Sequence, residues 1–375
     1  MNEPTHIKKG KMKIAIVYGT RPEIIKLMPL ILNMQKHDSI DLTLINTGQH
    51  KEMVNEVEAI FNIAPHFSLE VMQYNQTLTD ILRNVTTKVE HILTELRPDL
   101  VLVQGDTSTV ASVGMVSFYN KIPVGHVEAG LRSHNLDEPY PEEFNRRVIS
   151  ILADLNFAPT RQSAENLVRE GVPAEKITIT GNTIVDMVNL ARKLLKPGTR
   201  VAGRKILITA HRRENHGKGI QNICEAIKIL RKKFPDLTFV WPVHPNPNVK
   251  NVVYGELDGV EKVHLIEPLG YIDLIRELDE SYLIWSDSGG IQEECPSFGK
   301  PVLILRNITE RPEVVTSGFG ELVGTNIDRI VQKTSQLLID TDAYRKMVLG
   351  ENPFGDGTAS DKIVKAIFEN GRIRK

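Results

Sequence analysis

The stretch IAIVYGTRPEIIKLMPLILNMQ, residues 14–35, sets the fold class of this 375-residue chain. Residues 14–18 form an apolar, β-branched run, which predicts a buried strand. Residues 24–35 predict a helix. Between the two, Gly19 permits a tight turn and Pro22 suits the first turn of a helix. A strand, a short turn and a helix in this order indicate a parallel α/β sheet.

Short strands alternate with longer amphipathic stretches along the rest of the chain. Further strands are predicted at residues 42–46, 100–104, 124–127, 155–158, 177–180, 206–209, 238–241, 263–266, 282–286 and 302–305. Helices are predicted at residues 53–61, 78–96, 110–119, 220–234, 272–278, 327–338 and 359–370. Turn-forming residues at 196–200 interrupt the pattern, so we expect two Rossmann-like halves, each a doubly wound parallel sheet. Ligands bind beyond the carboxyl ends of such strands, which predicts a site in a cleft between two facing sheets.

Composition narrows the class of protein. The 46 Lys and Arg residues nearly balance the 47 Asp and Glu residues, so the basic excess of a nucleic-acid-binding protein is absent. The sequence has no apolar run of the roughly 18–20 residues that span a bilayer. Its two cysteines, Cys224 and Cys295, are far apart and do not form a disulfide framework. We therefore expect a cytoplasmic protein that binds neither nucleic acid nor membranes.

Charged side chains follow predicted strands of the first half. Arg21 and Lys26 lie at the first strand–helix turn, where backbone amides either hold an anion or form a capped turn with solvated charges. Asp106 follows the third strand and either caps the next helix or acts as a catalytic carboxylate. Glu128 follows the next strand at the same edge. Glu142 opens a helix, where its charge also suits the helix dipole. Crowded carboxylates raise each other's pKa, which suits acid–base chemistry.

Candidate residues also follow strands of the second half. His211 stands beside two arginines, an arrangement that favours anion binding, although a lone histidine is more often structural. The Ser288–Gly290 turn can hold a diphosphate on its backbone amides. Glu294 could then accept both hydroxyls of a ribose; a plain glycine turn with a surface glutamate is the alternative. Arg311 follows the next strand on the same rim. His244 lies in a proline-stiffened loop, where a structural role is the favoured interpretation.

Eight motifs, taken in order, resemble one family, the non-hydrolysing UDP-N-acetylglucosamine 2-epimerases. They are GTRPE (19–23), GDT (105–107), HVEAGLR (126–132), PEExNRR (141–147), AHRREN (210–215), PVHPNP (242–247), DSGGIQEE (287–294) and ERPE (310–313). Each motif alone is weak, but eight in order are specific. The resemblance implies the two-domain fold of GT-B glycosyltransferases and glycogen phosphorylase, with domains of residues 1–180 plus 357–375 and residues 181–356. It also implies a homodimer and a C-terminal helix that packs back on the first domain.

The resemblance further implies the chemistry. The C2 proton of the substrate is not alpha to a carbonyl, so simple deprotonation is too difficult. Instead the C1–oxygen bond breaks as the C2 proton is removed, which gives 2-acetamidoglucal and UDP. Protonation on the other face and re-addition of UDP then convert UDP-N-acetylglucosamine into UDP-N-acetylmannosamine, for surface polysaccharide or glycan synthesis. This route needs no metal and no redox cofactor.

Finally, the resemblance assigns roles to residues. The acid–base carboxylates would be Asp106, Glu128 and Glu142, with His211 stabilising the departing UDP. The residues implied to bind the substrate are Arg21, Lys26, Ser288, Gly289, Gly290, Glu294 and Arg311. A second UDP-N-acetylglucosamine, acting as an activator, would contact Gln49, His50, Arg212 and His244. The alternatives are a 2-epimerase for a modified UDP-sugar such as a diacetamido uronic acid, a hydrolysing relative, and a non-catalytic nucleotide-sugar sensor.

Overall fold

The structure, a computed structural model, describes residues 10–49, 51–72, 76–195 and 204–370. The chain divides into two compact units. The first holds the residues up to Met187 and those from Gly357 onward, and the second holds Val188–Asp356. The predicted break at residues 196–200 lies outside the described residues.

A parallel sheet forms the centre of the first unit. Within the described residues it has seven strands, in the order β3-β2-β1-β4-β5-β6-β7. These are β1 (Met12–Tyr18), β2 (Ile40–Asn46), β3 (Phe67–Ser68), β4 (Leu100–Gln104), β5 (Val124–Val127), β6 (Leu155–Ala158) and β7 (Ile177–Ile179). Every residue of β4 is buried, as expected for a parallel strand covered on both faces. The predicted parallel α/β sheet is confirmed.

Capping residues set where helices of the first unit start. The helices are α1 (Arg21–Met34), α2 (Lys51–Ile60), α3 (Leu78–Leu96), α4 (Ser108–Tyr119), α5 (Glu142–Leu152), α6 (Arg161–Arg169) and α7 (Thr183–Leu194), which begins in the first unit and continues into the second. Helix α3 has its predicted bounds because Thr77 and Asp80 form a capping box at its start. Helix α4 starts two residues before the predicted position, since Thr107 accepts a hydrogen bond from the amide of Val110. Helices α6 and α7 were not predicted.

The second unit repeats the architecture. The part of it that the structure describes has a six-stranded parallel sheet in the order β10-β9-β8-β11-β12-β13. The strands are β8 (Lys205–Thr209), β9 (Thr238–Pro242), β10 (Val263–Ile266), β11 (Leu283–Ser286), β12 (Val302–Ile304) and β13 (Gly320–Leu322). The prediction of a second doubly wound sheet is thus confirmed. The edge strands β3 and β13, two and three residues long, were not predicted.

Helices cover this second sheet and then return the chain to the first unit. They are α8 (Lys218–Lys233), α9 (Pro247–Leu257), α10 (Tyr271–Glu280), α11 (Gly289–Glu294), α12 (Pro312–Thr316), α13 (Ile327–Ile339), α14 (Thr341–Lys346) and α15 (Ala359–Glu369). The Asp186 carboxylate of α7 accepts hydrogen bonds from the amides of Ala359 (3.1 Å) and Ser360 (2.9 Å), which fixes the start of α15 in the first unit. Among the described residues, no helix is both long and apolar enough to cross a bilayer.

Candidate active site

The turn between β1 and α1 requires a glycine. A Cβ atom at Gly19 would lie 2.0 Å from Oγ1 of Thr47, so no side chain fits there. The amides of Gly19 and Thr20 donate to Oε2 of Glu23, at 2.9 and 2.6 Å. Two alternatives were predicted for this turn, anion binding by its amides or a capped turn. These two amides form the capped turn. Thr107 Oγ1 donates to Oε1 of Glu23 at 2.8 Å, which ties this turn to the start of α4.

Glu128 stands at the carboxyl end of β5 in a buried polar cluster. Its backbone is left-handed, with φ at 69°, and only 6% of its side chain is exposed. Lys26 Nζ forms an ion pair with Oε1 of Glu128. Asn182 Nδ2 donates to the same oxygen at 2.8 Å, and Gln104 Nε2 donates to Oε2 at 2.6 Å. Three donors from α1, β4 and the residue before α7 thus fix this carboxylate.

Asp106 follows β4, the strand that pairs with β5. Arg146 of α5 forms an ion pair with Oδ2 of Asp106, and Asn145 Nδ2 donates to its backbone carbonyl at 3.0 Å. About a quarter of the Asp106 side chain (24%) is exposed, so it is more accessible than Glu128. Glu142, the first residue of α5, lies one helical turn before Arg146 and is half-buried. Helix α5 therefore carries both Glu142 and the arginine that pairs with Asp106.

The neighbouring Glu143 is structural, which the sequence motif did not reveal. Its side chain is fully buried. The carboxylate accepts hydrogen bonds from the amides of Ser133 (2.9 Å) and His134 (3.2 Å). It also accepts from Arg146 Nη1 at 3.3 Å and Arg147 Nε at 3.2 Å. Glu143 thus holds the loop before α5 and the arginine that binds Asp106.

His126, a motif residue, and Gln49, a candidate residue, also have defined positions in the first unit. His126 of β5 is fully buried, and its Nε2 donates to the Gly105 carbonyl at 2.7 Å. Burial lowers the pKa of His126 to about 4. Gln49 accepts a hydrogen bond from Thr109 Oγ1 at 2.9 Å, which places it beside the start of α4. His50 lies outside the described residues.

Asp287 organises the corresponding edge of the second unit. It is fully buried after β11. Its Oδ2 accepts three hydrogen bonds, all at 2.9 Å, from the amides of His211 and Arg212 and from Asn215 Nδ2. The ring of His211 stacks on that of His244, with centroids 5.4 Å apart. Asp287 is the first residue of the DSGGIQEE motif. The sequence analysis did not predict that it would bind the AHRREN loop.

The Ser288–Gly290 turn begins α11. The amide of Ser288 donates to Ser286 Oγ at 3.0 Å, so this amide is engaged within the protein. A Cβ atom at Gly289 would lie 3.4 Å from Cζ of Arg311, which places this guanidinium against the turn. Arg311 Nε donates to Oε1 of Glu293 at 2.7 Å, a partner that was not predicted. Glu294 ends α11 and is 4% exposed, so it is not the surface glutamate of the alternative interpretation.

Cations concentrate around Glu310 in the same unit. Arg306 Nη1 donates to its Oε2 at 2.8 Å, and Arg311 Nη1 lies 3.8 Å from that oxygen. Burial opposes ionisation of Glu310, but Arg311, Arg306 and Arg212 outweigh it and lower its pKa to about 2. This network fixes the guanidinium of Arg311 next to the glycine turn.

Comparisons with known proteins cover almost the entire chain. The family model described as UDP-N-acetylglucosamine 2-epimerase matches residues 32–368. A UDP-N-acetylglucosamine 2-epimerase of Neisseria meningitidis serogroup A is 45% identical over 371 residues, covering 96% of this chain and 100% of that protein.

Solved structures show the same relationship. The crystal structure of UDP-GlcNAc 2-epimerase from N. meningitidis bound to UDP-GlcNAc has a TM-score of 0.90 and 46% identity, covering 96% of this chain and 100% of that one. The S. aureus MnaA–UDP co-structure has a TM-score of 0.87 and 42% identity, covering 95% and 96% of the two chains.

Proposed function

The chain belongs to the UDP-N-acetylglucosamine 2-epimerase family, and on that basis we propose that it interconverts UDP-N-acetylglucosamine and UDP-N-acetylmannosamine without hydrolysis. The protein is an isomerase. The observation that carries the proposal is the family match over residues 32–368, which includes the strand ends that hold Asp106 and Glu128. In the proposed elimination, the C2 proton leaves to a carboxylate while the C1–oxygen electrons leave with UDP. C2 of 2-acetamidoglucal is then protonated on its other face, and UDP re-adds at C1 to restore the C1–oxygen bond.

We assign acid–base chemistry to Asp106, Glu128 and Glu142. Support comes from the first unit, where Asp106 and Glu128 follow the adjacent strands β4 and β5. Each of these two carboxylates contacts one cationic side chain, Arg146 or Lys26. A carboxylate held beside a fixed cation keeps one orientation, as a proton-transfer group requires.

We assign nucleotide binding to Arg21, Lys26 and a group in the second unit. That group consists of Ser288, Gly289, Gly290, Glu294 and Arg311. The guanidinium of Arg311 against Gly289 supports this assignment, since arginine suits phosphate oxygens and a glycine lets them approach the backbone. His211 would stabilise negative charge on the departing UDP.

A second UDP-N-acetylglucosamine is proposed to activate the enzyme through Gln49, His50, Arg212 and His244. Within the second unit, His244 is stacked on His211. A ligand that moved the His244 ring would therefore move the ring assigned to catalysis. Substrate activation would appear as a sigmoidal dependence of rate on UDP-N-acetylglucosamine, and His244→Ala should make that dependence hyperbolic.

A homodimer is proposed on the surface of α3, α4 and α5. Large apolar side chains are exposed there: Leu82 on α3, Phe118 and Tyr119 on α4, and Ile151 on α5. Tyr119 and Ile151 are 77% and 78% exposed. Contiguous exposed apolar surface marks a protein–protein contact more often than a solvated face. We also propose a cytoplasmic location and a role in supplying N-acetylmannosamine for surface glycans.

Incubation of the protein with UDP-N-acetylglucosamine, followed by proton and phosphorus NMR, tests the activity. The expected product is UDP-N-acetylmannosamine. Free N-acetylmannosamine with UDP would instead indicate a hydrolysing enzyme. Turnover only of UDP-diacetamido uronic acids would indicate the modified-sugar alternative, and tight binding without turnover a sensor.

Asp106→Asn tests the carboxylate assignment. This variant should abolish turnover while UDP binding, measured by calorimetry, is retained. Asp41→Asn is the matched control, because Asp41 is exposed near the amino end of β2. Full activity of Asp106→Asn would refute the assignment.

A further inference from the structure

The two carboxylate oxygens of Asp287 have different surroundings. Oδ2 is occupied by three N–H donors, the amides of His211 and Arg212 and the side chain of Asn215. Oδ1 is also buried, and it accepts no hydrogen bond from the part of the chain that the structure describes. The Nδ1 atom of His211 lies 3.4 Å from Oδ1. One buried carboxylate therefore binds the backbone of His211 and lies next to its ring.

We propose that Asp287 is a positioning residue that sets the tautomer of His211: it keeps a proton on Nδ1, so that Nε2 faces the substrate and, on taking a second proton from solvent, donates to the departing UDP. Because the 3.4 Å separation exceeds an ordinary N–H···O distance of roughly 2.7–3.2 Å, the contact must tighten slightly to become a hydrogen bond. Such bonds are often long in the free enzyme. A carboxylate without a proton can only accept, so Nδ1 must be the donor. The importance of this tautomer for catalysis rests on the proposed function; the tautomer itself does not.

The surroundings of His211 are consistent with this role. The side chain is 39% exposed, and its Nε2 makes no hydrogen bond with the described residues. The stacked His244 accepts a hydrogen bond at Nδ1 from the amide of Asn246 at 3.2 Å, so that its own ring proton is on Nε2. The Nε2 of His216 faces the His211 carbonyl at 3.2 Å. These contacts leave Nε2 of His211 as the ring nitrogen available to a ligand.

Charged neighbours define the pH behaviour. Burial lowers the pKa of His211, Asp287 acts in the opposite direction, and Arg212, His244 and His216 lower it further. Without the Asp287 charge, the pKa of His211 should fall. A limb of the pH–rate profile that reports His211 should then move to lower pH.

Asp287→Asn separates tautomer control from folding. The three N–H donors at the Oδ2 position demand an acceptor, so the amide oxygen should take that place. The NH₂ group then occupies the Oδ1 position and donates to Nδ1, which forces the proton onto Nε2. The backbone bonds of the AHRREN loop are retained. Asn215→Ala is the matched control, since it removes one donor from Oδ2 and leaves Oδ1 unchanged.

Long-range ¹H–¹⁵N NMR of protein labelled with ¹⁵N-histidine reports the tautomer directly. The chain has 11 histidines, so the His211 signals are identified by their loss in His211→Gln. We expect the Nδ1–H form in the wild type and in Asn215→Ala, and the Nε2–H form in Asp287→Asn. An Nε2–H ring in the wild type would overturn the proposal even if Asp287→Asn failed to fold, as would an unchanged tautomer in the variant.

Kinetics provide the second readout. In Asp287→Asn, kcat should fall about 100-fold, the lower range of what a positioned acid or base contributes, with KM and UDP affinity within roughly threefold of wild type. A changed tautomer with unchanged kcat would refute a positioning role in catalysis. If the wild type did not epimerise UDP-N-acetylglucosamine, the proposed function would fail while the tautomer measurement still decided the structural proposal.

Discussion

The side-chain amide of Asn182 donates to Oε1 of Glu128 at 2.8 Å, and Oδ1 of Asn182 accepts from the amide of Ile184 at 3.1 Å. Asn182 is 2% exposed and directly precedes α7. One buried residue therefore joins the start of a helix to the carboxylate that we assign to catalysis.

Asn182→Asp should reduce kcat about 10-fold or more, because a like charge replaces the amide that donates to Glu128 and a displaced carboxylate transfers protons less well. The new carboxylate keeps an acceptor for the amide of Ile184. Steady-state kinetics measure the effect. Asn166→Asp, on a buried amide of α6, is the control; an equal loss of kcat there would show that the effect is not specific.

Gly19→Ala should destabilise the protein by at least about 2 kcal/mol, measured by urea unfolding. The added Cβ would lie 2.0 Å from Thr47 Oγ1, and overpacking of this kind costs typically 1–3 kcal/mol. Thr47→Ala in the same chain should recover part of the loss. Gly255→Ala is the matched control, because nothing lies within 4 Å of a Cβ there and alanine favours the helix α9. Equal stabilities of Gly19→Ala and wild type would contradict the close packing.

His126 should make the protein less stable as the pH falls. Its folded-state pKa of about 4 is below the ordinary value of 6.5, so the folded state binds fewer protons. Above pH 6.5 this histidine does not reduce the free energy of unfolding. Between pH 6.5 and 4 it reduces that free energy progressively, by up to about 3 kcal/mol. His126→Gln removes this titration. The free energy of unfolding of the variant should therefore fall less than that of wild type between pH 7 and 4, and parallel curves would refute the prediction.

Ile151→Glu should convert the proposed dimer into a monomer, as measured by light scattering after gel filtration. A charge on α5 cannot be buried in an apolar contact without a large desolvation cost. Ile308→Glu is the control, since Ile308 of the second unit is similarly exposed, at 76%. A wild type that is monomeric at all concentrations would exclude this interface.

The sequence revealed the framework of the fold because its signals are local. Buried runs such as 100–104 and capped helices such as α3 are specified by adjacent residues, and strand ends then predict where polar side chains gather. The edge strands β3 and β13 are too short to carry a pattern of their own and depend on pairing with a neighbouring strand.

The partners of the candidate residues could not be predicted in the same way. Glu128 receives hydrogen bonds from residues 24 and 54 positions away, Gln104 and Asn182, and no local spacing encodes such contacts. Asp287 anchors His211 across 76 positions. Motifs therefore indicated candidate residues, whereas the structure shows how their side chains are held.

Proton NMR of the enzyme with UDP-N-acetylglucosamine in D₂O tests the central claim most directly. Elimination and re-addition through carboxylates whose protons exchange with solvent predict deuterium at C2 of the UDP-N-acetylmannosamine that forms, and at C2 of the substrate pool as the reaction reverses. UDP-N-acetylmannosamine that retained its C2 proton would contradict the proposed proton transfer, and no new sugar at all would contradict the assignment of UDP-N-acetylglucosamine as substrate.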